Sequence, residues 1–197
     1  MVTTPDSTDR LAARALVRTA LCQTLGAFLG QPAASVHLVS RPGQAIAVDS
    51  PRCPFGLSLS HAPGLSLAAM GQGVCVGIDV VRMDDGVAAD AGWLGVARDY
   101  LGPQVTAWLQ ATTPAECPVA FARAWTRLEA GLKCLGLGLT EWSPALGQQL
   151  ATCQVRALDF AGHRRASPTT DGHFLGAIAM RTADRFAAAP SLRRPPV

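Results

Sequence analysis

Apolar residues recur at three- and four-residue steps in two long stretches of the chain. This spacing places them on one face of a helix, so it predicts amphipathic helices over residues 9–29 and 118–135. The apolar positions are Leu11, Ala15, Val17, Leu21, Leu25 and Phe28 in the first stretch, and Phe121, Trp125, Leu128, Leu132 and Leu135 in the second. Asp9 is the predicted N-cap of the first helix, and Gly30 and Gly136 follow the two helix ends.

Short apolar runs bounded by proline or glycine predict β-strands between and after these helices. Five strands are predicted at residues 36–40, 45–48, 56–60, 65–70 and 74–80, and two more at 153–159 and 173–181. Residues 87–100 have a helical composition. A short helix is also predicted over 104–110, directly after Pro103. The chain is therefore predicted to be α+β, with an N-terminal half at 1–90, a C-terminal half at 91–197 and a ligand cleft between them.

Length, charge and cysteine content narrow the class of protein. The 197 residues suffice for one domain or two small halves, and the formal charge of +3 comes mainly from scattered arginines. This charge suits an anionic ligand or an acidic partner, but no basic block is dense enough to indicate nucleic-acid binding. No apolar run reaches membrane-spanning length, and the six cysteines form neither a CxxC pair nor a zinc spacing. We therefore expect a cytoplasmic protein that binds neither membrane nor nucleic acid.

Three segments carry polar residues that could take part in chemistry. Asp79 interrupts an apolar predicted strand, where a carboxylate must be paired, hydrogen-bonded or bound to a cation, so both metal ligation and a structural acceptor fit. Glu129 and Lys133 stand four apart on the second helix, either as a surface salt bridge or as a cation ligand and a phosphate contact. Ser60 and His61 end a predicted strand, so they are either turn residues or phosphate donors.

Taken together, these segments resemble a known family signature. They comprise Ser60-His61 at a strand end, Gly77-Ile78-Asp79 in a later strand, and Trp125-x-x-x-Glu129-Ala-x-x-Lys133-x-x-Gly-x-Gly-Leu139 in the helix. The order is similar to that of the Sfp-type 4′-phosphopantetheinyl transferases, which belong to the holo-acyl-carrier-protein synthase superfamily, and the resemblance spans most of the chain. It implies two pseudo-twofold-related α+β halves with the active site between them.

The resemblance also implies a reaction. A serine of an apo acyl or peptidyl carrier protein attacks the β-phosphate of coenzyme A, receives the phosphopantetheine and displaces 3′,5′-ADP, with Mg²⁺ as cofactor. By similarity, Asp79 and Glu129 look like ligands of the ion and Lys133 looks like the lysine that holds the diphosphate. These three residues form the expected catalytic set, with Glu129 or a water on the ion as the base.

The remaining expected contacts are to the nucleotide. By similarity, Ser60 and His61 look like contacts to the ribose 3′-phosphate of coenzyme A. Arginines are expected to hold the other phosphate groups, and the candidates are Arg10, Arg14, Arg41 and Arg52. A monomer is expected, since one chain supplies both sides of the cleft in the family.

Three positions depart from the family pattern. Val81 stands where many members have a further acidic residue, Leu128 where a lysine usually precedes the glutamate, and Gln44 where a turn is usually basic. These departures motivate an alternative, a non-catalytic relative that binds coenzyme A or a carrier protein. A small α+β adaptor without a ligand is a third interpretation, but it leaves the carboxylate in the apolar strand unexplained. The retained carboxylates and lysine favour the enzyme.

Overall fold

The computed structural model describes residues 2–3, 10–40, 45–50, 53–83, 92–158, 160 and 173–182. Its helices are α1 (Arg10–Leu29), α2 (Trp93–Val96), α3 (Gly102–Ala111), α4 (Cys117–Leu135) and α5 (Pro144–Ala151). Its strands are β1 (Val2–Thr3), β2 (Leu38–Val39), β3 (Ala47–Val48), β4 (Phe55–Ala62), β5 (Leu65–Gln72), β6 (Val74–Met83), β7 (Gln154–Leu158) and β8 (His173–Thr182). Within these ranges no helix is long and apolar enough to cross a membrane.

The strands of the described chain form three small antiparallel sheets. Their orders are β1-β5-β4, β2-β3 and β6-β8-β7. The β4–β5 hairpin turns at Gly64, whose φ of 85° is one that glycine adopts without strain. β6 pairs with β8 along its whole length, from Val74 opposite Thr182 to Met83 opposite His173. Because β4 and β6 are edge strands that pack on one another, the first and third sheets meet at this pair.

α1 covers the first sheet with its apolar face. Leu21 and Leu25 are buried against Phe55 and Leu57 of β4, as the three- and four-residue spacing predicts. Burying a leucine side chain stabilises a fold by about 1.5–3 kcal/mol relative to leaving it exposed. This packing holds α1, the helix that carries Arg14, against the first sheet.

α4 is buried on two sides. Ala130 and Cys134 pack on β6 and β8, while Leu128 and Leu132 pack toward α3 and α5. The helix ends at Gly136, whose φ of 73° is the left-handed conformation common at helix C-termini. α4 is therefore held firmly between the third sheet and the smaller helices.

The α+β class and the two long helices are confirmed, but Leu11 and Phe28 of the predicted apolar face of α1 are exposed. The predicted strands at 36–40 and 45–48 shorten to two residues each, and α5 was not predicted. Asp9, Asp159 and the boundary between the predicted halves lie outside the described residues. β6 falls in the predicted N-terminal half, yet its partner β8 falls in the predicted C-terminal half. The pseudo-twofold relation between the halves stays a prediction.

All six cysteines are free thiols. Cys75 and Cys134 are buried between α4 and the third sheet, with Cys153 packed beside them. Burial, together with the neighbouring Cys153 thiol, raises the pKa of Cys134 to about 12. The Cys134 thiol is therefore protonated and inert at neutral pH, although the residue directly follows Lys133. A cytoplasmic setting stays a prediction.

Candidate active site

β6 and α4 approach closely enough to bring polar side chains from both elements into one cleft. A methyl group on Gly77 would overlap backbone atoms of α4, among them the carbonyl oxygen of Ala130. Asp79 lies two residues further along β6, on the same face of the strand as Gly77. Glu129 and Lys133 lie one helical turn apart on α4, beside this contact. The glycine therefore sets the distance between the strand carboxylate and the charged residues of the helix.

Asp79 is 8% exposed, and two donors hold its carboxylate. Lys133 Nζ lies 2.6 Å from Oδ1 of Asp79 and also donates to the carbonyl oxygen of Ile78 at 3.2 Å. Ser60 Oγ donates to the same Oδ1 at 2.8 Å. Among the described residues, none donates to Oδ2. The buried carboxylate is thus paired with a lysine at one oxygen and keeps lone pairs available at the other.

Glu129 is the second carboxylate at this position. Its Oε2 lies 4.0 Å from Lys133 Nζ, and its side chain is 22% exposed. Burial raises the pKa of Glu129; the Lys133 charge opposes this effect and the Asp79 charge adds to it, which leaves the pKa above its ordinary value. Glu129 is therefore a stronger base than an exposed glutamate, which suits proton transfer.

The two carboxylates fit a hard divalent cation. Mg²⁺ binds one or two protein carboxylates and completes its shell with phosphate and water oxygens. Asp79 and Glu129 line one cleft, and each supplies carboxylate oxygens. In the part of the chain that the structure describes, no group of three or more His, Cys, Asp or Glu side chains could hold a metal ion. The donor set therefore suits an ion whose shell is completed by a substrate.

Two adjoining clefts surround these residues. The first, of about 370 Å³, is lined by Asp79 and Glu129, and the second has about 380 Å³. Arg14, His61 and Lys133 line both clefts. Two neighbouring clefts bordered by the same basic side chains suit a ligand with several anionic groups.

His61 and Arg14 reach the clefts from different elements. His61 lies near the end of β4, and its Nδ1 is 2.9 Å from the hydroxyl oxygen of Ser66, a fully buried residue. Arg14 comes from α1. The side chains of the other predicted arginines, Arg10, Arg41 and Arg52, lie outside the described residues.

Arg18 was not among the predicted contacts. It lies one helical turn after Arg14 on α1 and lines the second cleft, while its Nη2 donates to the carbonyl oxygen of Leu38 at 2.8 Å. Residues four apart share a helix face, so the spacing of the two arginines was the signal that pointed to Arg18.

Ser60 has a different environment from that expected of a phosphate contact. Ser60 is 5% exposed. Its hydroxyl donates a hydrogen bond to Asp79 and accepts one from the backbone nitrogen of Val80 at 3.2 Å. A hydroxyl has one proton to donate, and here that proton is directed to a carboxylate. The phosphate contact predicted for Ser60 would need the hydroxyl to leave this partner.

Comparison with known proteins gives one family. The model of the 4′-phosphopantetheinyl transferase superfamily matches residues 75–175, just over half of the chain, and the match includes Asp79, Glu129 and Lys133. The chain belongs to this superfamily. Phosphopantetheinyl transfer is the general activity that membership supports, whereas the Sfp subtype stays a prediction. No curated protein matches the chain.

Two departures from the pattern of phosphopantetheinyl transferases have distinct positions in the fold. Leu128 is 7% exposed and lies in the core between α4 and its neighbouring helices, so its side chain is remote from the cleft chemistry. Val81 lines the first cleft, two residues after Asp79 on β6. The position without the third carboxylate therefore borders the candidate metal site, while the position without the lysine does not.

Proposed function

We propose that this superfamily member is an Sfp-type enzyme that transfers 4′-phosphopantetheine from coenzyme A to a serine of an apo acyl or peptidyl carrier protein. The observation that carries the proposal is the meeting of Asp79, Glu129 and Lys133 in one cleft bordered by Arg14 and His61. A monomer is part of the proposal, since α1, β4, β6 and α4 of a single chain line this cleft.

In the proposed step, the serine Oγ of the carrier protein forms a bond to the β-phosphorus of coenzyme A. The bond between that phosphorus and the oxygen bridging to the α-phosphate breaks, and 3′,5′-ADP leaves with the bonding electrons. Glu129, a carboxylate that borders the cleft beside Lys133, accepts the serine proton. Lys133 offsets negative charge on the diphosphate oxygens in a site partly shielded from water.

Asp79 and Glu129 are the residues that would hold Mg²⁺. When bound, the ion would neutralise charge on the phosphate oxygens and orient the diphosphate. Arg14, Arg18 and His61 would hold the nucleotide phosphates in the adjoining cleft, at a distance from the reacting group. Binding at this remote end positions the β-phosphate without acting on it.

The test is the mass of an intact apo carrier protein after incubation with the enzyme, coenzyme A and Mg²⁺. We expect one phosphopantetheine to be added, and we expect EDTA to stop the reaction. A panel should span carriers of fatty-acid and peptide synthesis. Binding of coenzyme A by calorimetry without a mass increase in any carrier would instead support the non-catalytic binding relative.

We expect His61→Ala to raise the KM for coenzyme A and to leave kcat nearly unchanged. A phosphate contact remote from the reaction serves the ground and transition states equally, so its loss appears in KM. A charge-assisted hydrogen bond contributes about 1.5–3 kcal/mol, which corresponds to roughly a 10- to 150-fold change. Steady-state kinetics of carrier modification measure both constants.

The control substrate is dephospho-coenzyme A, which lacks the 3′-phosphate. Its KM should be the same for the wild type and for His61→Ala. The matched variant is His37→Ala, because His37 is exposed and lines neither cleft. The structure places His61 within β4 rather than in the turn after it, so an unchanged KM for coenzyme A in His61→Ala would show that the histidine has only a structural role there.

A further inference from the structure

Serine hydroxyls join the first and third sheets where β4 meets β6. Ser58 and Ser60, two residues apart on β4, accept hydrogen bonds from the backbone nitrogens of Ile78 and Val80 on β6, at 3.0 and 3.2 Å. The two strands belong to different sheets, so these N–H groups bond to side chains rather than to a neighbouring strand's carbonyl groups. Both serines are 5% exposed. They are therefore equivalent as acceptors at the junction of the sheets.

Only one of the two serines also donates to a charged group. Ser60 Oγ lies 2.8 Å from Oδ1 of Asp79, whereas no described hydrogen bond joins Ser58 to that carboxylate. The hydroxyl of Ser60 is thus fixed from both sides, because it accepts from Val80 and donates to Asp79. A hydroxyl held in this way leaves little freedom for the carboxylate that it bonds to.

The position of the bond on the carboxylate determines what Asp79 offers to the cleft. Ser60 and Lys133 both donate to Oδ1, and no described residue donates to Oδ2. Without Ser60, the carboxylate could rotate so that Lys133 meets either oxygen. Hydrogen bonds to a ligating carboxylate commonly orient it toward a metal, and removing them lowers metal affinity by about 10- to 100-fold.

We propose that Ser60 is a positioning residue that orients Asp79 so that Oδ2 is presented to the cation, rather than a contact to the 3′-phosphate of coenzyme A. This inference rests on the proposed function, because it assumes that Asp79 binds the ion. Ser60 then acts at the metal site, and His61 acts at the nucleotide.

The experiment compares Ser60→Ala with Ser58→Ala, the matched control. Both variants leave a buried N–H of β6 without its acceptor, so we expect both to lower the urea midpoint of unfolding, Ser60→Ala further because it also loses the bond to Asp79. Mn²⁺, a paramagnetic substitute for Mg²⁺, is titrated into each protein with saturating coenzyme A and followed by water proton relaxation. We expect Mn²⁺ affinity to fall by about 10-fold or more in Ser60→Ala. In Ser58→Ala it should stay within about twofold of the wild type.

Kinetic constants separate this role from a phosphate contact. In Ser60→Ala the ratio of the KM values for coenzyme A and dephospho-coenzyme A should equal that of the wild type. A rise in the KM for coenzyme A alone, with unchanged Mn²⁺ affinity, would overturn the proposal. It would indicate that Ser60 contacts the 3′-phosphate instead. Equal losses of Mn²⁺ affinity in the Ser58 and Ser60 variants would also overturn it, since they would reflect the strand junction only.

Asp79→Ala distinguishes failure of this inference from failure of the proposed function. If Asp79→Ala loses Mn²⁺ binding and Ser60→Ala retains it, the role of Ser60 is wrong and the metal site stands. If the wild type and Asp79→Ala bind Mn²⁺ equally, the metal site of the proposed function is wrong, and the role of Ser60 is wrong with it.

Discussion

Asp79→Ala and Glu129→Ala are each expected to remove nearly all phosphopantetheine transfer, with a fall in kcat on the order of 10²- to 10³-fold. The double variant should be little slower than either single variant, because residues that act as one unit have strongly non-additive effects. The structure supports such a unit, since Lys133 lies 2.6 Å from Asp79 and 4.0 Å from Glu129. Rates of carrier modification at saturating coenzyme A and Mg²⁺ measure the effect.

The stability of these variants must be measured alongside their rates. Asp79→Ala removes the closest partner of Lys133, whose side chain is 30% exposed and keeps Glu129 at 4.0 Å, and it leaves the buried hydroxyl of Ser60 without its acceptor. Asp79→Asn retains an oxygen that Ser60 and Lys133 can bond to, so it should fold more stably and still be inactive. Glu141→Ala removes an exposed carboxylate beyond α4 and should leave the rate unchanged. Full activity of Asp79→Ala at limiting Mg²⁺ would show that Asp79 is a structural acceptor.

The elements predicted best from the sequence are those whose burial follows a simple period. α1 packs an apolar stripe on the first sheet and α4 packs one on the neighbouring helices, while β4, β5 and β6 are recognisable as largely buried strands. β2 and β3 were predicted less accurately, because each is only two residues long and buries little apolar surface. α5 was missed although its start carries a signal, since the Ser143 side chain accepts from the backbone nitrogen of Leu146 and Pro144 follows.

The site was predictable in its residue types but not in its pairing. A carboxylate in an apolar strand requires a paired or hydrogen-bonded partner, and Asp79 is paired with Lys133. The sequence placed Lys133 beside Glu129 through the four-residue spacing, yet Lys133 Nζ lies closer to Asp79. The hydrogen bond from Ser60 to Asp79 depends on how two sheets meet, and no local pattern encodes that contact. Long-range packing thus decided which of the candidate interactions formed.

Gly77→Ala is expected to lower both stability and rate, although Gly77 contributes no functional group. Its new methyl group would overlap the backbone of α4, which cannot move aside as the end of a flexible side chain can. Overpacking of a core costs about 1–3 kcal/mol, and a clash with backbone should lie at the upper end of that range. Urea unfolding measures this loss of stability.

The effect of Gly77→Ala on rate follows from where the clash occurs. Pushing β6 from α4 separates Asp79 from Glu129 and Lys133, and a misplacement of about 1 Å can lower a rate by roughly 10²-fold. Gly95→Ala is the control, because nothing lies within 4 Å of a methyl group there and its φ is not left-handed. In α2 that change should stabilise the protein slightly, since alanine favours helix over glycine. If the folded fraction of Gly77→Ala transfers phosphopantetheine at the wild-type kcat, then the spacing of β6 and α4 does not govern the site, and the carboxylates must act independently of their alignment.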